Sequence, residues 1–67
     1  MNAIEFGIAC KEYNIQYRHR FGVIPIYSEY ACNREQFLTA LKKAVVDEMP
    51  IETYLQKRVR HEDGRKE

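Results

Sequence analysis

The sequence predicts a small, mostly α-helical single domain: three helices, with an extended connector or edge strand between the first and the second. Three observations carry that prediction. An Asn-x-x-Gln pattern at Asn33 opens a clean amphipathic run, Pro50 separates that run from a second helical pattern, and residues 18–22 read as a helix end. With 67 residues the chain has room for one core, placed here in residues 1–60, with 61–67 as a polar, disordered tail. A chain this short buries only about 60% of its unfolded surface, so a second subunit is a natural source of extra stability.

The first helix is expected over residues 3 to 20. Ile4, Ile8 and Ile15 fall on one side, and Phe6, Cys10, Tyr13, Tyr17 and Phe21 fall nearly opposite, so both sides are apolar. Arg18, His19 and Arg20 followed by Gly22 form a basic last turn and a glycine cap. A strand period competes: Tyr13, Ile15, Tyr17, His19 and Phe21 alternate with polar residues, and Asn14 is able to cap a shorter helix. The coherent end signals favour the long helix, within which Gly7 is the only poor helix former.

Gly22 to Tyr27 is apolar and β-branched but contains Pro25, which fits an extended connector or edge strand that continues to Cys32. Asn33 and Gln36 then open the second helix, about residues 34 to 48. Phe37, Leu38, Ala40, Leu41, Ala44 and Val45 share its inner side, and Val46 is the apolar exception on the polar side. Pro50 ends that helix and is suited to open a third, at about 50 to 60, on the spacing of Ile51, Tyr54, Leu55 and Arg58 or Val59.

Composition narrows the function classes. Hydrophobic residues make up 45% of the chain and charged residues 31%, values that belong to a folded domain. Eleven Lys and Arg against ten Asp and Glu leave a net charge of +1, so no global field draws the chain to nucleic acid or to an anionic membrane. Charged residues interrupt every apolar run before it reaches membrane-spanning length, and the start has no basic leader, which together predict a cytoplasmic protein. Two free thiols, Cys10 and Cys32, are expected rather than a disulfide.

No cofactor, metal site or catalytic group is predicted. Cys10, His19, Cys32 and His61 are scattered singly, and Gly7, Gly22 and Gly64 form no phosphate loop. The reading that follows is a non-catalytic protein-binding module. It would associate with itself or dock to a larger partner through the aromatic side of the first helix: Phe6, Tyr13, Tyr17 and Phe21, with Arg18 and Arg20 as a polar rim. The alternative for that side is core, covered by the folded-back segment from Val23 to Tyr30.

Two further classes stay open. The helix, break, helix order from Phe37 to Arg60 invites comparison with a helix-turn-helix nucleic-acid binder, with Gln56, Lys57, Arg58 and Arg60 as the contacting residues. The connection Asp47-Glu48-Met49-Pro50 lacks a turn glycine and puts two carboxylates close to where phosphates would lie. Cys32, beside a helix start, is the candidate for thiol chemistry, with His19 or His61 as its base.

Overall fold

The computed structural model describes residues 1–58, which build two α-helices lying side by side in the same direction, with Met1 at Glu35 at one end and Arg20 at Glu48 at the other, and no sheet. Helix α1 runs Ala3–Phe21 and helix α2 runs Arg34–Asp47. The long-helix reading of residues 3 to 20 is therefore the correct one of the two periods. Its start lies in a capping box that the sequence reading passed over: Asn2 Oδ1 accepts from the Glu5 amide at 2.8 Å, and Glu5 Oε1 accepts from the Asn2 amide at 3.1 Å. Its end is the expected one. Gly22 sits at φ +82°, where a side chain is strained, and its amide donates to the Arg18 carbonyl at 2.7 Å.

Helix α2 begins in the same way, with the Gln36 amide donating to Asn33 Oδ1 at 2.8 Å and the Asn33 amide donating to Gln36 Oε1 at 2.9 Å. Phe37, Leu38, Ala40, Leu41 and Ala44 are buried, Val45 packs partly against them, and Val46 is exposed. The helix stops one residue short of Glu48, which takes a left-handed conformation at φ 58° and ψ 43° that closes the last turn.

The third helix is not formed. Residues 50 to 58 instead make one short 3-10 turn, Ile51–Thr53, and then run extended, with Lys57 bridged antiparallel to Tyr30. Val59, Arg60 and the tail lie outside the described residues. The physical reason is a competition for backbone groups. The connector leaves the Glu29 carbonyl and the Ala31 amide without helical partners, and the chain after Tyr54 satisfies both: Ala31 donates to the Gln56 carbonyl at 2.9 Å, and the Arg58 amide donates to the Glu29 carbonyl at 2.8 Å. The edge-strand character expected between the helices thus exists only as this isolated bridge, after a 3-10 turn at Tyr27–Glu29.

The core lies between α1 and α2 and is closed at one side by the connector and at one end by Ile51. Phe37 is its centre at one end, with the rings of Phe6, Tyr27 and Tyr30 at 5.7, 5.5 and 6.0 Å. Leu41, Ala44 and Ile51 have no exposed surface at all.

Candidate interaction surface on the outer face of α1

The aromatic side of α1 is its inner side. Tyr17 is buried, and Phe6, Tyr13 and Phe21 pack partly buried against the same core. Tyr17 also completes the backbone, since its hydroxyl accepts a buried hydrogen bond from the Ile51 amide at 3.0 Å. The four aromatic residues singled out for partner binding are therefore held by α2 and the connector. Tyr27 of the connector sets its ring at 60° to that of Phe6, with the centroids 5.0 Å apart. Arg18 and Arg20 lie exposed at the C-terminal end of the helix, where Arg20 pairs with Glu48 at 3.1 Å.

The opposite side of α1 has no such cover. Ile4, Ile8 and Ile15 are 76%, 72% and 59% exposed. They recur at positions 4, 8 and 15, a spacing that stacks side chains along one helix face. Ile24, 46% exposed on the connector, lies beside them, and together these residues line a shallow groove of about 550 Å³. Gly7 also lines that groove, and no atom lies within 4 Å of the position its Cβ would take. Asn14, at the groove's edge, has a buried side-chain oxygen with no hydrogen-bond partner among the described residues.

The sequence shows these isoleucines as one of two apolar sides but gives no means of ranking the two. Aromatic content favoured the side that the fold packs inward. The signal that separates them is partner supply: large rings need several neighbours to be covered, and Phe37, Tyr27 and Tyr30 provide them only on the inner side.

The basic residues singled out near the C-terminus are not on a helix. Lys57 lies 4.0 Å from carboxylate oxygens of both Glu29 and Glu52 and over the Tyr30 ring, and Arg58 Nε donates to the Ser28 carbonyl at 2.9 Å. Gln56 uses its backbone carbonyl to hold Ala31. Three of the four residues are thus tied into the connector, without a recognition helix to present them. Arg60 lies outside the described residues.

Cys32 does not have the surroundings of an activated nucleophile. It is partly buried, and burial pushes its thiol up from the ordinary range, with Arg58 opposing only part of the shift. His19 lines a separate groove with Phe21 and Glu48, and His61 lies outside the described residues. Cys10 is a buried free thiol, also raised by desolvation. Tyr30, buried and donating to Glu52 at 3.0 Å, has its phenol raised by burial first and by that carboxylate second.

Among the described residues no group of three His, Cys, Asp or Glu side chains converges on a metal-sized site, and no helix is long and apolar enough to cross a membrane. Comparison with protein-family models, with curated proteins and with solved structures returns no match.

Proposed function

We propose that this chain is a non-catalytic protein-docking module whose working surface is the isoleucine face of α1, with Ile24 as its flank. One observation carries the reading: three isoleucines stand 59–76% exposed on a helix whose other face already supplies the core. Fully burying such a side chain contributes about 1.5–3 kcal/mol, most of which the free chain leaves unused at each position. Single exposed aliphatic residues are ordinary on protein surfaces, but a contiguous row beside a groove is the feature of an interaction site.

Helix-in-groove or helix-on-helix packing is the mode this surface suits, because its side chains repeat along one helix axis. The aromatic residues then act from inside, fixing the helix that presents the isoleucines. Arg18 stands exposed at the end of the same helix, and Arg20 turns to the end of α2, where it pairs with Glu48.

Affinity capture from cells expressing the tagged chain tests the proposal, with Ile8→Lys as the comparison. Lysine is a good helix former and here has Glu5 and Glu12 three and four residues away, so the variant keeps the helix while placing a charge in the row. A specific protein, this chain included, recovered with the wild type and lost with Ile8→Lys is the expected result. Identical recovery with both would remove the isoleucine face from the account.

A further inference from the structure

The geometry points to a two-state segment after Tyr54: residues 55–58 either lie extended against Tyr30 as a strap, or continue the 3-10 turn at Ile51–Thr53 as a helix beside α2. The first turn of that helix already exists. The Thr53 amide donates to the Pro50 carbonyl and the Tyr54 amide to the Ile51 carbonyl, both at 2.9 Å, and the Leu55 amide reaches the same Ile51 carbonyl at 3.1 Å, a bond of α-helical spacing. Tyr54 keeps right-handed backbone at φ −113° and ψ −14°. The chain thus leaves helical geometry only at Leu55, with the costly nucleation step complete. Gln56, Lys57 and Arg58 are good helix formers, and the helix dipole favours Glu52 in the first turn and the two cations in the last.

What holds the strap is polar and exposed. Among the described residues no side chain after Ile51 is buried: Tyr54 and Leu55 are half-buried, and residues 56–58 are exposed. Two backbone hydrogen bonds, from Ala31 to the Gln56 carbonyl and from Arg58 to the Glu29 carbonyl, fix the strap. Arg58 Nε on the Ser28 carbonyl at 2.9 Å and Lys57 at 4.0 Å from Glu29 and Glu52 add to them. In the helix the amides of residues 56, 57 and 58 donate to the carbonyls of Glu52, Thr53 and Tyr54, so three helical bonds replace two bridging ones. Glu29 and Ala31 are exposed residues, and water takes over their freed carbonyl and amide.

The helix also has a place to lie. A groove of about 490 Å³ separates the strap from α2, with Thr39, Ala40 and Lys43 on the side of α2 and Tyr54, Leu55 and Gln56 on the side of the strap. Small side chains at 39 and 40 let a helix approach α2 closely. Tyr54, whose hydroxyl donates to Asp47 at 2.7 Å, is the pivot in both states. The strap is the major state, since it covers Tyr30, which is 3% exposed and carries Lys57 over its ring. The helical state bares a different surface. There the extended backbone at Tyr30, φ −116° and ψ 146°, presents the Glu29 carbonyl and the Ala31 amide as an open edge, and any partner that prefers one state sets the balance.

Nuclear magnetic resonance of the full chain gives the test, through the Cα shifts of residues 56–58 and the exchange of single amides. In the wild type the Ala31 and Arg58 amides are expected to exchange about tenfold faster or more than the Ile51 amide, which Tyr17 holds in the core. Lys57→Ala with Arg58→Ala removes the side-chain ties of the strap and keeps its backbone groups. In that variant the shifts of residues 56–58 are expected to move to helical values and Ala31 exchange to rise about tenfold or more, with Ile51 protection unchanged. Adding Gln56→Pro removes the amide that the next helical bond needs and spares the carbonyl that holds Ala31, so the helical shifts disappear. Equal exchange of Ala31, Arg58 and Ile51 in the wild type overturns the inference. So do extended shifts with unchanged Ala31 exchange in the double alanine variant, or detached residues with coil shifts. Loss of Ile51 protection in step with Ala31 overturns it as well, because the strap then belongs to the one cooperative fold.

Discussion

Tyr17 joins the two ends of the described chain through a single atom. Its ring is buried in the core and packs at a tilt on Phe21, 4.5 Å between centroids, and its hydroxyl satisfies the amide of Ile51, a residue with no exposed surface. Removing that oxygen leaves the ring's packing intact but strands a buried donor, whose desolvation is worth about 1–3 kcal/mol. Tyr17→Phe is therefore expected to lower the free energy of unfolding by about that amount in denaturant titration, with the helical signal unchanged; an effect below about 0.5 kcal/mol would mean that the Ile51 amide finds another partner. The sequence marks Tyr17 as an aromatic residue on an apolar face, which is also how an interface residue looks. Only the position of Ile51, 34 residues away, makes it a core residue with a backbone to hold.

At the scale of elements, α2 was legible because a cap, a one-sided apolar pattern and a proline agree on it. Most of α1 was legible too, through its basic last turn and Gly22, but which of its two apolar faces points inward depends on contacts that no local pattern contains. The third helix failed for a related reason. Ile51, Tyr54 and Leu55 have helical spacing, yet the unpaired backbone of the connector at Glu29 and Ala31 draws residues 56–58 into an extended run. Local propensity loses there to backbone hydrogen bonds made across the fold. Gly7 separates the needs of α1 from those of its outer face. With open space around it, Gly7→Ala is expected to raise the stability of the single chain by about 0.5–1 kcal/mol, measured by thermal or denaturant unfolding of dilute protein. If Gly7→Ala instead destabilises the dilute chain, the groove floor is already occupied in the fold.

For the whole molecule, size sets the problem. Two helices and a connector enclose one small core in which Leu41, Ala44 and Ile51 are the fully covered residues. Yet five isoleucines stand at the surface, enough aliphatic area to add materially to so small a core if the chain folded to use it. The function was less legible than the fold because the choice between an aromatic and an aliphatic surface is made by burial, and burial is a property of the assembled chain. The central claim is that the isoleucine row serves association and not the fold of the single chain. The unfolding free energy of Ile8→Lys tests it most directly, measured by denaturant titration at a concentration where the wild type is a single chain. A value within about 0.5 kcal/mol of the wild type is predicted, as for a surface substitution. A loss of about 2 kcal/mol or more, the cost of disrupting a packed core position, would contradict it and return Ile8 to the interior.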